Sequence, residues 1–235
     1  MGEHTRFDGW ALDPAVRHLN HGSYGAVRRR TLERQDALRR RIEALASEQM
    51  PAGYVFLPDP NEVAAVVLAR STWAVLALTC DIELFTQAHY RESLEGDENL
   101  SPLFKDVFLY HWKEESQHAI LDELEWQRED AKLTAPARDA AVDDLIALVG
   151  AVDGILQAQA AADAAYFKAI AGRAFTADEA ARIDDGVLAA YRWQYIVSGV
   201  SQPRFADVLG RLIDGAQRAR IEQALAPIVH HVANH

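Results

Sequence analysis

The sequence predicts an all-α fold. No segment alternates strictly between apolar and polar residues, as a half-buried strand would. Long stretches repeat apolar residues at steps of three and four, the spacing of one helix face. Those stretches open on helix-start signatures: Asp59-Pro60-Asn61-Glu62, Ser101-Pro102, Thr134-Ala135-Pro136 and Thr176-Ala177-Asp178-Glu179. Four long helices with short connections suggest antiparallel neighbours in a bundle.

Residues 1–25 read as irregular, with turn chemistry at Asp13-Pro14 and His21-Gly22-Ser23-Tyr24-Gly25. Residues 26–48 follow as a helix with an arginine-rich face: Arg28, Arg29, Arg30, Arg34, Arg39, Arg40 and Arg41. That face reads as solvated, laid over acidic surface of the same chain, in preference to an anion site. Residues 49–58, with Pro51, Gly53 and Pro58, form a linker. The chain is therefore expected to divide into an N-terminal arm, 1–58, and a helical bundle with a C-terminal helix, 59–235.

The first bundle helix is expected to run unbroken from Pro60 to about Leu94, ~50 Å at 1.5 Å per residue. Its main stripe is Val63, Val66, Arg70, Trp73, Ala77, Cys80 and Leu84. Glu83 lies beside this stripe, where an acid is costly unless paired or metal-bound. The second helix opens at Ser101, with Pro102 at its first position, and meets no Gly or Pro before Pro136. Its stripe Leu103, Val107, Tyr110, Leu121 and Leu124 is expected to be buried. The third runs to about Ala171, with Gly172 placed to stop it. It carries Asp163 in a mainly apolar row, and Gly150 and Gly154 are expected to permit close helix approach. The fourth carries Tyr191, Tyr195 and Ser198 on one side and ends near Gly199. A fifth spans about 203–226.

Composition narrows the function classes. Apolar residues make up 49% of 235, so the chain is globular and not disordered. A net charge of −11 argues against general nucleic-acid binding and against docking on anionic lipid. Cys80 is the sole cysteine, which excludes an intramolecular disulfide and makes a reducing compartment the default. The N-terminus has no apolar signal region, and no stretch reaches the ~18 uninterrupted apolar residues of a membrane span. A cytoplasmic location is expected. Nothing points to a Ser-His-Asp triad, a phosphate-binding Gly loop or a zinc Cys cluster.

Function is carried by the second helix. Phe104, Phe108, His111, Glu115, His118 and Asp122 fall on one stripe, which ends in His-x-x-x-Glu-x-x-His. A carboxylate and two imidazoles on one helical face suit a borderline transition metal. The alternative is a solvated polar face with Glu115 paired to Lys113 or Arg128. Folding the four helices together is expected to turn Glu83, His111, Glu115, His118, Asp163, Tyr191, Tyr195 and Ser198 towards a common interior.

The phrases IELFTQAHY and FKDVFLYHWKEESQHAILDELEW resemble the first and second ligand helices of the ferritin-like superfamily of di-iron carboxylate proteins. The resemblance covers about residues 60–200. It implies a ferritin-like four-helix bundle with additional N-terminal and C-terminal helices. It also implies Glu83 as a terminal carboxylate, Glu115 as a bridging or chelating one, His118 as the imidazole ligand and Asp163 in place of the usual third-helix glutamate. His111 adds an imidazole, as on the His-x-x-x-Glu-x-x-His helix of p-aminobenzoate N-oxygenase-type enzymes, where that helix is the fourth. The pattern departs at the fourth helix, where Glu-x-x-His is replaced by Tyr191, Tyr195 and Ser198 at the same spacing. The implied cofactor is iron, as one or two ions, with manganese as the other candidate. The implied activity is an oxidoreductase acting on a small organic substrate, with Tyr191 or Tyr195 as redox or proton-transfer partner. A homodimer is compatible with it. The alternative is a metal-free scaffold that keeps the bundle and binds small molecules.

Separately, HLNHGSYGAV and the arginine-rich helix, residues 18–46, resemble the N-terminus of class V pyridoxal-phosphate aminotransferases of the isopenicillin N epimerase type. No lysine stands in a Schiff-base context, because Lys105, Lys113, Lys132 and Lys168 all fall on expected helices. The cofactor is not carried over.

Overall fold

The computed structural model describes residues 29–235, apart from the side chains at 46 and 47. The expected turns at Asp13-Pro14 and His21–Gly25, and the whole of the aminotransferase-like phrase HLNHGSYGAV, lie outside the described residues. The chain divides into two compact units, Met1–Tyr54 and Val55–His235. In the first, α1 (Arg29–Gln49) is helical where expected, with Leu38, Ile42 and Leu45 exposed along it. A turn at Pro51–Tyr54 closes with Tyr54 N–H donating to the Pro51 carbonyl and Gly53 at a φ of 85°.

Every regular element among the described residues is helical. In the second unit these are α2 (Pro60–Leu68), α3 (Thr72–His89), α4 (Pro102–Asp130), α5 (Ala135–Ile170), α6 (Ala177–Arg192), α7 (Ser198–Val200), α8 (Pro203–Leu212) and α9 (Gly215–Ala233). α3 is prolonged by a π turn, Tyr90–Leu94, and a second π turn, Trp193–Val197, joins α6 to α7. The helix starts follow local chemistry. Asp59, Ser101, Thr134 and Thr176 each accept a backbone N–H of the first turn, and Thr176 with Glu179 forms a full capping box. Gly172, at φ 68°, stops α5.

Two expected helices are each broken in two. The helix placed over 60–94 divides at Ala69–Ser71, because Asp144 of α5 reaches across to the junction. Its Oδ2 accepts the Ser71 N–H at 2.9 Å and its Oδ1 lies 3.4 Å from Arg70 Nη1. The helix placed over 203–226 divides at Ile213, which is extended, and Asp214 starts α9 in a capping box with Gln217.

α3 is the central rod. It packs along α4 on one side and meets α5, α7 and the second π turn on the other, while α5 and α6 pair with each other. The main core lies where α3, α4, α5, α8 and α9 converge. Trp73 and Trp126 meet edge-on at 5.2 Å between centroids, and Trp126 stacks on Phe205 at 5.6 Å. Val142, Leu148 and Val208 close around them. Cys80 is buried there, and burial with nearby Asp122 pushes its thiol up to about 12, so it is inert filler.

Three packing expectations are corrected. Leu103, Val107, Tyr110, Leu121 and Leu124 are exposed, Leu103 by 75%, because α4 turns Ala119, Trp126 and Asp130 inward instead. The α5 row that holds Asp163, expected as a core stripe of Val149, Val152, Leu156, Gln159, Asp163, Tyr166 and Ile170, also emerges into solvent at its far end, with Ile170 60% exposed. Gly150 and Gly154 have nothing within 4 Å of a notional Cβ, so neither marks a close approach. The close approach is at Gly199, where a Cβ would stand 2.9 Å from the Asp81 carbonyl oxygen and 2.7 Å from its Cγ.

α5 has the length and mean hydropathy of a membrane-crossing helix. Its acids are tied to neighbours within the bundle: Asp139 and Asp143 to Arg220, Asp144 to the α2–α3 junction, Asp153 to Arg192, and Asp163 to Tyr191.

Candidate metal centre

The α3–α4 contact brings three of the sequence-predicted ligands together. Glu83 comes from α3, and Glu115 and His118 from α4, with ligand atoms all within 4.8 Å of one another. On α4 the steps of four and three put His111, Glu115 and His118 on one face. His118 Nδ1 lies 2.6 Å from Glu115 Oε2, and His111 Nε2 lies 2.7 Å from Glu115 Oε1. Each oxygen of Glu115 is thus held by one imidazole. Glu115 is largely buried, whereas the side chains of His118 and His111 are 39% and 47% exposed. The centre is open on the histidine side.

Electrostatics sort the protons. Burial and the hydrogen bond with Glu115 push the Glu83 carboxyl up to about 8. Burial works against the Glu115 charge, but hydrogen bonds to Glu83 and His118 and the nearby His111 outweigh it, so Glu115 stays below the usual range. The hydrogen bond to Glu115 raises His118. Asp122, one turn beyond His118, is raised by burial, against a hydrogen bond with Thr79 that lowers it. Without a metal, the surroundings therefore favour the protonated form of Glu83 and the charged form of Glu115. Two carboxylates and one imidazole converging this way form a donor set for a divalent transition ion.

The remaining predicted site residues lie outside this cluster. Asp163 accepts the Tyr191 hydroxyl and, at 2.9 Å, the amide of Gln159. Gln159 in turn pins the incoming chain by bonding Val55 O and Leu57 N–H. Tyr195 is 44% exposed and packs edge-on against Phe85 and Tyr191. Ser198 donates to the Gln194 carbonyl, one turn back in the second π turn. Asp153, which the sequence reading did not single out, is closed by Arg192 at 2.7 and 2.8 Å.

Asp81 was also missed. It is 6% exposed, its Oδ1 has no hydrogen-bond partner, and burial pushes its carboxyl well above the ordinary range. The signal was present: positions 73, 77, 81, 84 and 88 make one helical stripe, and Asp81 is its only acid. No protein-family model, no curated protein and no solved structure matches the chain.

Proposed function

We propose that Glu83, Glu115 and His118 hold one divalent transition-metal ion, iron in preference to manganese, in a ferritin-like frame. On this reading the protein is a metal-dependent oxidoreductase acting on a small organic substrate. The observation that carries it is the placement of two carboxylates and an imidazole within 4.8 Å, on two helices packed along their length. A cation there offsets the burial penalty and the nearby Glu115 charge that favour the protonated form of Glu83. With Asp163 engaged by Tyr191 and Gln159, and Asp153 by Arg192, the donor set suits a single ion and not a pair.

The ion, when bound, supplies Lewis acidity and, if iron, one-electron chemistry at positions the protein leaves open. The chain supplies the rest. His111 orients Glu115 through its outer oxygen, as outer-shell partners of ligands do. Glu83 releases its proton on binding. The exposed His118 edge admits substrate.

Elemental analysis of protein purified from iron-supplemented cells is expected to give about one ion per chain. Glu115→Ala should reduce this to the level of a non-binding control. Content below about a tenth of an equivalent, unchanged by Glu115→Ala, overturns the reading. Protons compete for the same ligands, so affinity is expected to rise roughly a hundredfold from about pH 6.5 to about 8.5. In Glu83→Gln that dependence should flatten. The metal-free fold behaves oppositely. Glu83 and His118 hold protons more tightly folded than unfolded, so its stability falls as pH rises towards about 8. A melting series with and without metal checks both signs.

A second reading is a metal-free scaffold. It is favoured by the pairing of both Glu115 oxygens, Oε2 hydrogen-bonded with His118 and Oε1 ion-paired with His111. It predicts no metal-linked rise in melting temperature at any pH.

A further inference from the structure

α3 carries Asp81 and Glu83 two residues apart, about 200° around a helix, so they serve opposite sides of the rod. Glu83 faces α4. Asp81 lines a cavity of about 470 Å³ bounded by α3, α5, the second π turn, α8 and α9. The walls are mainly aliphatic, with Leu78, Ile146, Val149, Ile196, Leu209 and Ile228 prominent. Of the other charged residues on the wall, Asp153 and Arg192 satisfy each other, and Arg218 and Glu222 are exposed residues of α9. Asp81 differs: it is more than nine-tenths buried and its Oδ1 accepts no hydrogen bond.

An unpartnered buried acceptor opposes folding, and replacing it with an apolar group is ordinarily neutral or better. Its neighbour Gly199 gives it room but no donor. The cavity lies within the size range of small-molecule sites, which are apolar with a few placed polar groups. At the ~30 Å³ that a water-sized group occupies, it holds about fifteen non-hydrogen atoms.

We infer that this cavity binds a small apolar molecule that presents one N–H or O–H donor to Asp81. The apolar walls take up the body of the ligand, and the carboxyl fixes its headgroup. The site does not rest on the metal reading, and its test is run with chelator present, so the two succeed or fail separately.

Titration calorimetry on the full chain with EDTA, using phenethylamine, phenethyl alcohol and ethylbenzene, tests it. The amine or the alcohol is expected to bind at least about tenfold more tightly than the hydrocarbon. Asp81→Ala should bring the three affinities together while melting no lower than the parent protein. A tighter amine assigns a cationic headgroup to the ligand, and an equal or tighter alcohol assigns a neutral one. The inference is overturned if none of the three binds at millimolar concentration, or if the wild-type protein binds all three alike. A donor preference that survives in Asp81→Ala overturns it too.

Discussion

Asp130→Ala is expected to cost about 3–5 kcal/mol, the scale of breaking a buried ion pair from one side. In a chain of this size that lowers the melting temperature by roughly 10 °C or more. Asp130 is 8% exposed and serves three donors. Its Oδ1 accepts the Trp73 indole N–H at 2.9 Å and Arg138 Nε at 2.6 Å, and its Oδ2 accepts Arg138 Nη2 at 2.7 Å. Removing the carboxylate strands an indole N–H at the centre of the core and a guanidinium at the start of α5. Asp130→Asn keeps an acceptor for Trp73 and should cost clearly less. Chemical denaturation of the three proteins reads the difference, and a loss under about 1 kcal/mol for Asp130→Ala would contradict the account.

Gly199→Ala is expected to destabilise by about 1–3 kcal/mol, as overpacking does. The new Cβ would meet the Asp81 carbonyl oxygen at 2.9 Å. Backbone cannot turn aside as a side chain can, so α7 or α3 must shift. Gly154→Ala is the matched control, because a Cβ there meets nothing within 4 Å. It should stabilise α5 by up to about 1 kcal/mol through helix propensity alone. Opposite signs for two identical substitutions, measured by urea melts, are the expected result.

The contrast between these glycines shows what was legible beforehand. Helix starts were readable because each is decided within four residues, as at Thr176 and Glu179. The breaks at Ser71 and Ile213 were not read. The first depends on Asp144, more than seventy residues away. The second was written locally, in Asp214 and Gln217, and was masked by the apolar periodicity running through it. Leu103, Val107 and Tyr110 have the spacing of a core stripe, but periodicity gives a face and not its covering. The metal candidates divided the same way. Glu115, His118 and His111 share one helix and their spacing sufficed. Glu83 joined them because α3 and α4 pack along their length. Asp163 and Tyr191 found each other instead, a pairing no spacing could foretell.

One consequence follows from the junction at Ala69–Ser71. α2 buries none of its residues, and the segment that contains it is fastened at both ends by side chains of α5. Gln159 holds the backbone at Val55 and Leu57, and Asp144 holds Ser71. Val67 packs against the tryptophan core but is not itself buried, so such a strap can lift while most of that core stays in place. Its amide hydrogens should therefore exchange with solvent deuterium through local opening, well before those of α3 or α5. Asp144→Ala should hasten exchange in α2 while leaving the slowest amides of the bundle nearly unchanged.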